Sequence, residues 1–126
     1  MNILIVKPPC TFGDGIWKDH IRKEHVARFV SSRDEAEKLL REQPWHTVVV
    51  TDTVFDTDVE HIEIHRKLDV KKRLLGEFVN QCRTIFHEAT VAVVASSEAL
   101  REELRQAGHN PVLSHVETCK FLYDLV

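Results

Sequence analysis

Short, mostly apolar runs alternate along this chain with segments whose apolar residues recur at helical spacing. The runs are residues 3–6, 26–30, 47–51, 91–94 and 111–113, and the third, Thr-Val-Val-Val-Thr, is β-branched throughout. A strand that is apolar on both faces is typical of a parallel sheet covered by helices on both sides. The alternation therefore predicts an α/β fold with right-handed crossovers.

Five segments between and after these runs predict helices. They cover residues 16–23, about 32–43, 68–87, 97–107 and 117–125, with Pro44 and Gly108 as stop signals. The segment Thr53–His65 is rich in acids and follows neither the helical nor the strand period, so its conformation stays open.

Composition indicates one globular domain and excludes several classes of partner. The chain has 126 residues, 43% of them hydrophobic and 29% charged, which predicts a single domain over 1–126. The formal net charge of −3 gives no general attraction to nucleic acid or anionic membranes. The three cysteines (Cys10, Cys82 and Cys119) are widely spaced, which favours reduced thiols and a cytoplasmic location.

Chemically active side chains follow several of the predicted strands. In an open parallel sheet, ligands bind outside the carboxyl ends of the strands, an edge called the rim below. The residues at these ends are Lys7 and Pro8, then Asp52, then Ser96, and then His115. We expect them to meet at the rim.

These residues resemble the receiver domain of bacterial response regulators, the CheY-like family. Val48-Val49-Val50-Thr51-Asp52 resembles its third strand, and Val91-Ala92-Val93-Val94-Ala95-Ser96 resembles its fourth. Ala107-Gly108 followed by Pro111-Val112-Leu113-Ser114-His115 resembles its ending. The resemblance covers nearly the whole chain. It implies a three-layer flavodoxin-like fold, with a five-stranded parallel sheet in the order 2-1-3-4-5 and helices on both faces.

The resemblance implies a phosphoacceptor role for Asp52, but other active positions are changed. The family's two magnesium-binding acids after the first strand are replaced by Lys7 and Pro8. Its lysine after the fifth strand is replaced by His115, and its fourth-strand hydroxyl falls on Ala95 or Ser96. Phosphoryl transfer to a carboxylate needs a divalent cation, and magnesium is held mainly by carboxylates. Lys7 is a candidate to pair with Asp52 in place of the metal.

Three hypotheses of function follow. The first is a pseudo-receiver: a signalling or interaction module that binds a protein partner or itself, with no catalytic residue, metal or cofactor. The second is a phosphorylatable receiver in which Asp52 takes the phosphoryl group and Ser96 and His115 respond. The third is a small α/β domain that binds an anion or nucleotide at the rim, attracted by Lys7 and the turn Gly13-Asp14-Gly15.

Aromatic residues indicate where a partner could bind. Trp17 follows a glycine-containing loop and is either a partly exposed partner contact or a lid over the first helix. In the last segment, Phe121 and Tyr123 belong to an apolar surplus that suggests a homodimer face.

Other patterns favour ordinary surface roles. His61 and His65 share a face if they lie on one helix, but no third metal ligand is evident. Cys10 lacks an obvious activating base. The basic residues between Arg66 and Arg73 are interleaved with acids, which favours a solvated helix face.

Overall fold

The computed structural model describes residues 1–8 and 14–126, and within them five strands form one sheet. The strands are β1 (Asn2–Val6), β2 (Val26–Val30), β3 (Thr47–Thr51), β4 (Thr90–Val94) and β5 (Val112–Leu113). Their spatial order is β2-β1-β3-β4-β5, and every neighbouring pair is parallel. The predicted fold class and strand order are confirmed.

The helices of the described ranges lie between and after the strands. They are α1 (Asp14–His20), α2 (Arg33–Glu42), α3 (Asp56–Val59), α4 (Ile64–Ile85), α5 (Glu98–Gln106) and α6 (His115–Tyr123). Ser32 and Ser97 cap α2 and α5 by accepting a backbone N–H of the first turn. Within residues 1–8 and 14–126, no helix is both long and apolar enough to cross a membrane.

The core has two layers because successive strand residues point to opposite faces of the sheet. In β3, Val48 and Val50 pack on the face covered by α2, α4 and α5, whereas Val49 packs on the face covered by α1 and α6. The largest buried side chains of the second layer include Trp17. This confirms the predicted three-layer arrangement.

The segment Thr53–His65, left open by the sequence, continues directly from β3. A 3-10 helix (Asp52–Phe55) leads into α3, and α4 then begins at Ile64 instead of the predicted 68. Phe55 and Val59 are buried, so two apolar residues four positions apart anchor this segment to the core. The sequence shows no clear period here because each of these elements is only one turn long.

The first and last helices also differ from the prediction. Helix α6 begins at His115 rather than 117, because Ser114 and Glu117 form a capping box. Helix α1 covers Asp14–His20 rather than 16–23.

Gly108 ends α5 in a conformation that favours glycine. Its φ is +95°, and a Cβ built there would meet no atom within 4 Å, so the cost of a side chain would come from the backbone. Gly76 lies inside α4, where an added Cβ would make only an ordinary contact with His109, at 3.9 Å.

We expect Gly108→Ala to lower the free energy of unfolding by about 1–2 kcal/mol, because an L-residue is strained at positive φ. Gly76→Ala is the matched control and should raise stability by about 0.5–1 kcal/mol, because alanine is the better helix former. Urea unfolding of both variants measures the difference. A shift of the same sign in both would contradict this account of α5 termination.

Candidate functional site

Asp52 lies at the centre of the rim, immediately after β3, and is almost completely buried. It begins the 3-10 helix Asp52–Phe55 and is 4% exposed. Its neighbours on the adjacent strands are the ends of β1 and β4, because β3 pairs with both. A buried carboxylate is costly without a compensating charge or hydrogen bond.

The compensating charge comes from Lys71 on α4. Lys71 Nζ lies 3.3 Å from Asp52 Oδ2 and also contacts Asp56 Oδ1. The side chain of Lys71 is 17% exposed, whereas that of Asp56 is 55% exposed. One ammonium group therefore joins a buried and a surface carboxylate.

The other oxygen of Asp52 is unsatisfied. Oδ1 is enclosed and has no hydrogen-bond partner among the described residues. A buried acceptor without a donor typically costs about 1–3 kcal/mol. The enclosed oxygen therefore carries an energetic cost, which is consistent with a functional site.

Burial raises the pKa of Asp52 above its usual value, and this effect exceeds the opposing influence of Lys71. The negative charge of Asp56 raises this pKa further, while the nearby His115 lowers it slightly. The folded protein thus binds a proton at Asp52 more readily than the unfolded chain does.

Lys71 remains firmly protonated. Burial alone would lower the pKa of Lys71, but the hydrogen bond to Asp56 and the charges of Asp52 and Asp56 outweigh it. The net result is a pKa above the usual lysine value. The positive charge beside Asp52 is therefore permanent at neutral pH.

The sequence prediction named the wrong lysine for this ion pair. Lys7 is buried at the end of β1, where its backbone N–H donates to Val30 and its Nζ donates to the Pro8 carbonyl at 3.0 Å. Lys71, which was assigned to a solvated helix face, makes the pair with Asp52 instead. Its position could have been recognised, since Lys71 precedes Leu75 by four residues and therefore shares the buried stripe of α4.

A cavity of about 470 Å³ opens beside Asp52, between α3, α4 and the start of α5. Ser96 is exposed and lines it, whereas Ala95 is buried, so Ser96 supplies the hydroxyl at the end of β4. Arg101 holds this loop by donating to the carbonyls of Ala95 and Ser96 at 2.7 and 2.9 Å. The structure thus brings Asp52 and Ser96 to one cavity.

His115 lies close enough to Asp52 to lower the pKa of that carboxyl, and its ring packs against Trp17. The two rings stack with centroids 5.8 Å apart, and the Trp17 indole N–H donates to the His115 carbonyl at 3.2 Å. Trp17 is only 1% exposed, so the prediction of an exposed partner contact is wrong. Trp17 is buried where α1 packs against α6, which agrees with the alternative prediction of a lid over the first helix.

The two predicted partner contacts on α6 differ in exposure. Phe121 is half-buried against the second core layer, whereas Tyr123 is 55% exposed, with the Arg22 guanidinium 5.0 Å from its ring centre. Ile64 and Val116 are strongly exposed, at 86% and 78%, and the sequence did not single them out. Isolated apolar residues in short or uncertain segments give no periodic signal.

The histidine pair does not share a helical face, because α4 begins between its members. His61 lies near Glu60 and His65 near Glu63, both within 3.5 Å. No group of three or more potential metal ligands occurs among the residues that the structure describes. Cys10 and Gly13 lie outside the described residues.

The comparisons with known proteins support the fold of this chain and no more than the fold. No protein-family model and no curated protein matches the sequence. Among solved structures, the chain is similar to a response regulator protein from Burkholderia pseudomallei, whose crystal structure has a phosphorylated aspartic acid, a calcium ion and citrate. The TM-score is 0.57 at 16% identity, and the match covers 90% of this chain but only 58% of that one. The likeness confirms the predicted receiver fold.

We expect Asp52→Asn to unfold at a higher temperature than the wild type at pH 7. Because the pKa of Asp52 is raised in the folded state, its contribution to stability is most favourable below the unfolded-state pKa and is lost as the pH rises through the folded-state pKa. The advantage of the asparagine variant should therefore shrink as the pH falls. Thermal unfolding of both proteins between about pH 4 and pH 8 measures it.

Asp58→Asn is the control, since it removes an exposed acid on α3. It should unfold close to the wild type over the same range. If Asp52→Asn were less stable than the wild type at pH 7, the ion pair with Lys71 would outweigh the cost of burial.

Proposed function

We propose that this chain is a pseudo-receiver, a signalling module that acts through protein contacts and does not form an aspartyl phosphate. The observation that supports it best is the ion pair between Lys71 and Asp52. In the family that the sequence resembles, the corresponding carboxylate lies beside a magnesium ion. Here an internal ammonium is already present beside it.

The charges around Asp52 disfavour the binding of magnesium. A magnesium ion at Asp52 would approach a permanent ammonium, and the strand that supplies two acids in the family ends here in Lys7 and Pro8. Magnesium keeps several waters and needs carboxylate oxygens in near-octahedral geometry. With Oδ2 engaged by Lys71 and Oδ1 enclosed, Asp52 offers such a metal no open oxygen without rearrangement.

We infer one receiver-like unit over 1–126 that is not an enzyme, needs no cofactor and works in the cytoplasm, where Cys82 and Cys119 stay reduced. A protein is the expected partner, rather than nucleic acid or membrane, given the net charge of −3. Self-association through α6 is included, since Val116 and Tyr123 are exposed on it.

A second candidate function is that of a phosphorylatable receiver. It is favoured by the location of Asp52 directly after β3 and by the Ser96 hydroxyl in the same cavity. The similar Burkholderia protein carries a phosphorylated aspartic acid. This function requires Lys71 to leave Asp52 or to take over the charge-neutralising role of the metal.

Intact mass after incubation with acetyl phosphate and magnesium separates the two functions. We expect no phosphoryl-sized gain on the wild type, and no magnesium-dependent rise in the unfolding temperature, because no cation binds the folded state. Asp52→Asn controls for phosphorylation elsewhere, and an active receiver domain treated in parallel controls for the reagent.

A labile gain on the wild type that Asp52→Asn abolishes would establish the second candidate instead. Stabilisation by phosphate or a nucleotide without metal would favour the third hypothesis, an anion-binding domain.

A further inference from the structure

The cavity beside Asp52 has an apolar wall that leads to an exposed isoleucine. Val59 and Leu100 are buried at its base, and Leu68 is half-buried beside them. Ile64 lies at the same cavity and is 86% exposed. Ile64 and Leu68 together give this cavity of about 470 Å³ an apolar wall, which suits a side chain of a protein partner.

The charges around this cavity are not balanced. It is lined by three acids (Asp52, Asp56 and Glu60) and two lysines, Lys67 and Lys71. Lys71 is already engaged by Asp52 and Asp56, so Lys67 and the exposed imidazole of His61, 3.5 Å from Glu60, remain to balance the exposed carboxylates of Glu60 and Asp56. The lining of the cavity thus has more carboxylates than lysines.

We propose that this cavity receives a segment of a protein partner in which an apolar side chain stands next to an arginine. The apolar side chain would pack against Ile64 and Leu68, and the guanidinium would pair with Glu60 and Asp56. Arginine fits because its planar group supplies five donors and binds carboxylates in a bidentate manner. The inference rests on the proposed function, for which it names the docking surface and the chemistry of the partner.

A second copy of this chain is a poor occupant of the same surface. The neighbouring segment carries Asp56, Asp58, Glu60 and Glu63, so a two-fold axis through this segment would bring acids against acids. Like charges brought together at an interface disfavour that pairing. A basic segment of another protein would instead meet opposite charges on this surface.

The test is selection from a random-peptide phage library on the wild-type protein, followed by synthesis of the enriched peptides. We expect a shared motif with an aliphatic or aromatic residue adjacent to an arginine, and binding that weakens as salt rises. Fluorescence anisotropy of a labelled peptide then gives Kd for variants of the protein.

Ile64→Asp and Glu60→Lys should each weaken binding by about tenfold or more, because each removes a central contact of the surface. The matched controls are Val26→Asp at the start of β2 and Glu88→Lys just before β4, both at the opposite end of the strands, and they should leave Kd unchanged. All four residues are exposed, so the variants should fold, which circular dichroism checks.

Several outcomes would overturn the inference. These are the enrichment of acidic peptides, the absence of any enriched peptide, peptides insensitive to Ile64→Asp and Glu60→Lys, and a dimer that Ile64→Asp dissociates. The proposed function fails separately, by phosphorylation of Asp52. If a natural partner bound the unphosphorylated protein equally well after Ile64→Asp, the docking surface would be wrong but the proposed function would stand.

Discussion

The ammonium group of Lys71 lies between the carboxylates of Asp52 and Asp56, and the arrangement of the rim depends on it. Helix α4 packs through Leu75, Phe78 and other buried residues, and Lys71 lies one turn before Leu75 on the same side. Packing of the helix on the sheet therefore carries the ammonium toward the end of β3. Without it, Asp52 would be an enclosed anion with no compensating group from α4.

This ion pair changes what the receiver fold can do at its rim. A site that binds a metal exchanges cations with solvent, whereas a lysine side chain is covalently fixed and always present. The buried carboxylate remains costly even so, since burial keeps the pKa of Asp52 raised despite the lysine. Under the proposed function, this combination holds Asp52 in one state, and partners bind the surfaces around it.

The same segment that follows Asp52 also shapes the surface. Phe55 and Val59 anchor it to the core, and the chain then leads to Ile64 at the start of α4. Because both anchors are buried, the acids between and after them are held outward, next to an exposed apolar side chain. An acidic and apolar surface thus adjoins the cavity at the rim.

Much of the fold could be read from the sequence by itself. The β-branched run of β3 and the helical spacing of Leu75, Phe78 and Cys82 specify elements through local periodicity, and their alternation specifies a parallel sheet. Strand ends then bring Asp52, Ser96 and His115 to one edge, because all parallel strands point the same way. Tertiary structure alone decided which cation reaches Asp52, since Lys7 and Lys71 are equally charged and only the packing of α4 on the sheet selects between them. It also buried Trp17 and exposed Ile64, because burial depends on what the rest of the chain brings against a residue, and no local pattern contains that information.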